Sequence, residues 1–221
     1  MKICFVSRGT PDGFSGVADG EIDLTVFAFQ GGEPISYERE LRGETSAFSK
    51  IAELSKRFGV TVCGLKTDAR GIKRKSAVVA ENGRILGVSD MVNVIDGDWN
   101  VGANTRVFQT KNHRIGIVVA EDLYFFEVMK SLALCGCDWV VCPFGGDVGE
   151  MERVMLRANA FCFGIPILFC GKGYAVAVNA DGEVAFASPQ SPVVISVETF
   201  REYRLIETRQ RGFSKRKKGE T

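Results

Sequence analysis

The stretch Gly116-Ile117-Val118-Val119-Ala120-Glu121-Asp122-Leu123-Tyr124-Phe125-Phe126-Glu127 is a short apolar run that ends abruptly in two carboxylates and then takes up helical spacing. This pattern predicts a strand feeding a helix through a tight turn, the geometry that presents a nucleophile at a strand's carboxyl end. The residue at the apex is Ala120, which carries no nucleophilic atom.

Outward from this turn the chain alternates between short β-branched or aromatic runs and a few segments of helical period. Strands are expected near residues 2–6, 24–27, 60–65, 75–79, 84–88, 107–109, 115–119, 139–142, 167–170, 175–178, 184–187 and 193–197. Helices are expected over 45–58, 125–134 and 151–163, with Gly59 and Gly136 placed as stops after the first two. In the first, Phe48, Ile51, Ala52, Leu54 and Ser55 share a face; in the second, Val128, Leu132 and Ala133; in the third, Val154, Met155, Ala158 and Cys162 point inward. Asn82-Gly83 and Asp181-Gly182 read as hairpin turns between strand-like runs. Helices interleaved with strands, together with antiparallel hairpins, imply an α/β sandwich with mixed sheets.

At 221 residues, 45% apolar and with no long Ser/Pro/Gly-rich linker, the chain is expected to form one domain over residues 1–210, with a basic, solvated tail at 211–221 containing Lys215-Arg216-Lys217-Lys218. Lys and Arg total 28 against 27 Asp and Glu, so no basic field argues for a nucleic-acid partner. The longest apolar stretch, residues 160–170, contains Gly164 and Pro166 and is too short to span a bilayer, so no membrane partner is expected. Seven cysteines in mostly apolar segments, with residues 2–6 too short for a signal-peptide core, read as reduced thiols of a cytoplasmic protein. Cys135-Gly136-Cys137 has the wrong spacing for zinc and His113 has no co-ligand near it in sequence, so neither a metal nor another cofactor is expected.

Read in order, these segments resemble the nitrilase or carbon–nitrogen hydrolase superfamily. Residues 23–29 resemble its first motif, an apolar strand ending in Pro-Glu, and residues 83–91 its second, a hairpin strand ending in Tyr-Arg-Lys. Gly102 and residues 107–110, followed by 115–127, are similar to the third, where Cys and an aromatic residue precede Asp-Leu-Arg-Phe-Pro-Glu. Gly136-Cys137-Asp138, Pro143, Arg157-Ala158-Asn159-Ala160, residues 173–182 and Glu207-Thr208-Arg209-Gln210 resemble the remaining landmarks. Agreement of several ordered landmarks is more specific than any one motif. The resemblance implies a four-layer α-β-β-α sandwich that dimerises. Between Ser7 and Asp23 the chain is rich in Gly where the family has its first helix, so that helix is expected to be trimmed.

The family's chemistry, as the resemblance implies it, uses a Cys thiolate as nucleophile, a Glu as general base and a Lys ammonium to stabilise the tetrahedral intermediate. Carried over by position, the Glu slot is Phe29, the Lys slot Met91 and the Cys slot Ala120, and the flanking Gln30, Asp90 and Glu121 do not rebuild the set. The expectation is therefore a carbon–nitrogen hydrolase relative without catalysis, a pseudoenzyme kept for binding a small molecule or partner, with a dry pocket partly filled by Phe29 and Met91. The competing expectation is a hydrolase of non-peptide carbon–nitrogen bonds whose nucleophile has moved to Cys142, Glu121 or Asp122. Against it, Asp122 and Glu121 also suit the start of the next helix, and Cys142 suits a small buried apolar site. Asp98 and Trp99, in a polar loop with Asp96, read either as the pocket mouth or as plain surface. Apolar Phe125, Phe126, Met129 and Leu132 on the helix after the turn mark the expected homodimer face.

Overall fold

Two mixed sheets face each other in this computed structural model, which describes residues 1–17, 21–29 and 31–198. The basic tail, Glu207-Thr208-Arg209-Gln210 and Gln30 lie outside the described residues. The first sheet contains β1 (Lys2–Val6), β2 (Leu24–Phe27), β3 (Ile35–Ser36), β4 (Val60–Ala69), β5 (Ile72–Glu81), β6 (Arg84–Asp90) and β13 (Val193–Ser196), in the order β13-β1-β2-β4-β5-β6 with β3 also on β4. The second runs β12-β11-β10-β9-β8-β7, from β7 (Val107–Gln109), β8 (Arg114–Ile117), β9 (Trp139–Pro143), β10 (Ile167–Gly171), β11 (Tyr174–Val178) and β12 (Val184–Ser188). Each has a parallel centre, β1-β2-β4 in one and β8-β9-β10 in the other, flanked by antiparallel strands.

The central strands read as unbroken apolar runs because both of their faces are buried. In β1, Ile3 and Phe5 point into the core between the sheets while Cys4 and Val6 point to the outer helix layer. In β10, Leu168 and Cys170 face the other sheet and Ile167 and Phe169 face the helices on the opposite side. The outer layers are α1 (Tyr37–Leu41) and α2 (Ala47–Arg57) with the first sheet, and α3 (Phe126–Leu134) and α4 (Glu150–Phe163) with the second. This is the four-layer α-β-β-α sandwich. Where a first helix is absent by sequence, the described residues hold only a 3-10 turn, Pro11–Gly13, capped by the Thr10 side chain.

Several local expectations are corrected. α4 turns a different face inward: Leu156, Asn159 and Ala160 are buried, whereas Val154 is half exposed and Cys162 is exposed. Its phase is set by tertiary bonding, with Asn159 Nδ2 donating to the Leu123 carbonyl at 2.8 Å. In α3, Met129 and Leu132 are buried within the chain's own core, leaving Phe126 as an exposed aromatic on the face expected to dimerise. The β4–β5 hairpin runs several residues beyond the expected ends at Leu65 and Lys75, turning at Arg70 and Gly71, both of positive φ. That extension carries charged side chains towards the site described next.

Candidate functional site: a cationic cavity at the strand ends

The elbow is built as its sequence suggests, with one addition. β8 ends at Ile117, Val118 and Val119 stay extended, and Ala120 adopts φ +49°, the left-handed region that disfavours residues with a Cβ. A 3-10 segment, Ala120–Tyr124, then leads into α3. A small side chain limits the strain of that conformation, and the Ala120 methyl is buried.

A cavity of about 540 Å³ opens at the carboxyl ends of the parallel strands of both sheets. Ser7 follows β1, Phe29 follows β2, Ala120 and Glu121 follow β8, Gly145 and Gly146 follow β9, and Lys172 follows β10; all of them line it. Lys66 of β4 and Lys75 of β5 complete the wall, with Arg8 at its rim. Strand carboxyl ends are where α/β architectures collect ligand-binding groups, because several loops converge there on a rigid frame.

Phe29 reaches this wall because two glycines admit it. A Cβ at Gly64 would lie 2.6 Å from Phe29 Cδ2 and 2.8 Å from Pro143 Cβ, and one at Gly145 would lie 2.9 Å from Phe29 Cβ. The ring therefore occupies space that side chains at 64 and 145 would otherwise fill. Met91 is 1% exposed, packed in the core between the sheets with its N–H donating to the Lys75 carbonyl at 2.9 Å. It does not line the cavity, so the three sequence slots divide: Phe29 and Ala120 at the wall, Met91 behind it.

The cavity is open, and charged side chains line it. Lys66 and Lys75 are directly opposed on the β4–β5 ladder, an arrangement of like charges that costs stability unless compensated. Compensation comes from Glu121, which accepts a hydrogen bond from Lys75 Nζ, and from Trp99, whose ring lies 5.8 Å from Lys66 Nζ and 5.7 Å from Lys75 Nζ. Lys66 Nζ also donates to the Gly32 carbonyl at 3.3 Å. Trp99 thus sits against the two lysines, while Asp98 is exposed in the adjoining loop.

Two carboxylates adjacent in sequence have different surroundings here. Glu121 faces the cavity, and its Oε2 is buried with no hydrogen-bond partner among the described residues. Asp122 is 1% exposed and accepts from the Val92 N–H at 2.9 Å, the Asn93 N–H at 2.9 Å and Asn93 Nδ2 at 2.9 Å. It therefore ties the elbow to the segment after β6 and does not cap α3, whose start has no side-chain cap. Burial raises its pKa to about 6, against the opposing pull of those N–H donors. Cys142 is fully buried in β9 among the residues facing α3 and α4, and burial pushes its thiol well above the ordinary range, the reverse of what an activated nucleophile needs.

The site residues that sequence reasoning missed are Arg8, Lys66, Lys75, Lys172 and Ser7. Lys66 and Lys75 lie within β4 and β5, and Lys172 in the Gly171-Lys172-Gly173 turn after β10; the one legible signal was the run of charged residues flanking the Arg70-Gly71 turn.

No protein-family profile matches the chain. Among curated proteins, a protein of Schizosaccharomyces pombe named "Probable nitrilase" is 22% identical over 178 residues, which are 74% of this chain and 62% of that protein. The chain thus spans about three fifths of that relative's length. Among solved structures, a Cys→Ala variant of a Nesterenkonia amidase from the nitrilase superfamily superposes with a TM-score of 0.73 at 16% identity, covering 88% of both chains. Nit3 of Saccharomyces cerevisiae, also of the nitrilase superfamily, gives a TM-score of 0.71 at 12% identity, with 88% of both chains covered.

Proposed function

We propose that this chain, which has the fold of the nitrilase superfamily, holds a small molecule in its elbow cavity without hydrolysing a carbon–nitrogen bond. The observation that carries this reading is Ala120: the residue at the elbow lines an open cavity of about 540 Å³ and has no atom with which to attack a carbonyl or nitrile carbon. Phe29, on the same wall, brings no proton acceptor, and Met91 lies in the core behind it. An open cavity lined by lysines is suited to binding.

The test is ammonia release from a panel of simple amides, nitriles and carbamoylated amino compounds. The expected result is no turnover above a heat-denatured control. A second reading, a hydrolase with a relocated nucleophile, is favoured by one observation, the Glu121 carboxylate and Lys75 ammonium beside the elbow. Turnover that survives repurification and is abolished in Glu121→Gln would establish it. Asp122, held by three N–H donors, and Cys142, buried within β9, are poorly placed for that role.

The reading extends to a cytoplasmic homodimer. Seven cysteines outside any disulfide, five of them buried, support a reducing compartment. Phe126, Leu134, Met151, Val154 and Phe161 are exposed apolar residues of α3 and α4, and their burial against a second copy is the expected interface. Among the described residues, no helix is long and apolar enough to cross a membrane.

A further inference from the structure

We propose that the ligand of the elbow cavity is a small organic anion that also carries a hydroxyl or N–H donor. This assignment rests on the cavity being a binding site, and it goes further by naming what the site selects.

The first support is charge. Among the described residues, Arg8, Lys66, Lys75 and Lys172 line the cavity with Glu121 as the one lining carboxylate, and that carboxylate is engaged by Lys75. Among the described residues, Arg8, Lys66 and Lys172 form no ion pair with a carboxylate. Lys66 and Lys75 are direct cross-strand neighbours, and beside the Trp99 ring and the Gly32 carbonyl a single carboxylate serves the two ammonium groups. A bound anion supplies the missing countercharge. Arg8 and Lys172 are exposed, so they extend the positive field to the mouth, where it draws an anion inward.

The second support is independent of charge. Ser7 is 3% exposed, lines the cavity, and its hydroxyl has no hydrogen-bond partner among the described residues. A buried hydroxyl without a partner costs free energy, and an anion's oxygen accepts its proton. Glu121 Oε2 is likewise buried and unpartnered on the same wall, but it only accepts. It calls for a donor on the ligand, so a bare anion leaves one group unsatisfied. Together the two orphaned atoms and the unpaired lysines describe a ligand with an anionic head and a donor arm.

The probes are tartronate, which has two carboxylates and a hydroxyl, malonate, which lacks the hydroxyl, inorganic phosphate, and glycerol, which is neutral. Calorimetric titration of the full chain at low salt is expected to give tartronate binding tighter than malonate, with glycerol at least about tenfold weaker than either. Raising the salt concentration weakens the anions and leaves glycerol unchanged. Tighter binding of phosphate than of malonate identifies a phosphate head; the reverse identifies a carboxylate head.

Lys66→Met is expected to weaken tartronate about tenfold or more, and Lys172→Met, at an exposed position, to weaken it less while leaving the melting temperature unchanged. The assignment is overturned if glycerol binds as tightly as tartronate, if tartronate binds no tighter than malonate, if both lysine variants bind like the parent, or if none of the anions binds at millimolar concentration. Ammonia release from the amide panel is a separate readout: turnover would refute the non-hydrolytic reading while these titrations still decide the anion preference.

Discussion

Replacing Met91 with lysine puts a cation into the core behind the cavity and asks what the surroundings tolerate. Met91 is 1% exposed and belongs to the core between the sheets, together with Val79, Phe108, Val119 and Ala120. The two side chains are similar in length, so the packing loss is small and the charge decides the outcome. An ammonium there must shed its proton or carry an unpaired charge into apolar surroundings. Deprotonating a lysine of pKa about 10.4 at pH 7 costs about 4–5 kcal/mol, and partial access to the neighbouring cavity lowers the expected loss to about 3–5 kcal/mol. The sign of the pH dependence follows. The folded variant's lysine has a depressed pKa, so between that value and about 10.4 the unfolded chain binds more protons, and the variant gains stability as pH rises. Urea melts of variant and parent at pH 7 and pH 9.5 should show the deficit shrinking to about 1 kcal/mol at the higher pH. A deficit below about 1 kcal/mol at pH 7, or one that does not narrow on alkalinisation, would refute the placement of Met91 in a closed apolar slot.

Further outcomes are expected from the same geometry. Phe29→Glu added to Met91→Lys should recover part of the loss, so that the double variant is less destabilised than the sum of the singles in the same melts. Gly64→Ala should destabilise the fold by about 1–3 kcal/mol, because its methyl overlaps Phe29 and Pro143, and pairing it with Phe29→Ala should cost less than the two singles together. Asp122 has a raised pKa of about 6, so its burial penalises the folded state above that pH; relative to Asp122→Asn, the parent should gain on the order of 1 kcal/mol in chemical melts as pH falls from 7 to 5. Ala120→Cys should present a thiol to the cavity that iodoacetamide alkylates, without bringing ammonia release from amides, because Phe29 still offers no base. Sedimentation at micromolar concentration should give a species of twice the 24.1 kDa chain mass, and a clean monomer would remove the α3–α4 interface.

The frame of the fold is written in local pattern. β2 at Leu24–Phe27 and β7 at Val107–Gln109 end where their patterns end, because apolar β-branched runs bounded by polar residues have one low-energy use in a two-layer core. The sequence also determined that the residue at the apex of the elbow, Ala120, carries no nucleophilic atom, since that is read directly from the chain. Short elements were not legible: β3 and α1 together span Ile35–Leu41, too few residues for a period, and they are held by contacts such as Glu40, which accepts from the Ala47 and Phe48 N–H groups and so caps α2 from outside it. The phase of α4 was decided by docking, where Asn159 found the Leu123 carbonyl and Val154 was turned outward.

The character of the cavity was decided by tertiary structure alone. Lys66 and Lys75 are ordinary charged residues in sequence; only the register of the extended β4–β5 hairpin sets them face to face. Glu121, 46 positions from Lys75, meets it because the elbow folds over the end of the opposite sheet, and Ser7, Lys172 and Arg8 join them from other strand ends. Apolar periodicity encodes which side of a strand is buried, since that is settled locally by the pleat. Which charges share a pocket depends on how two sheets stack, and that is fixed only when the whole core closes.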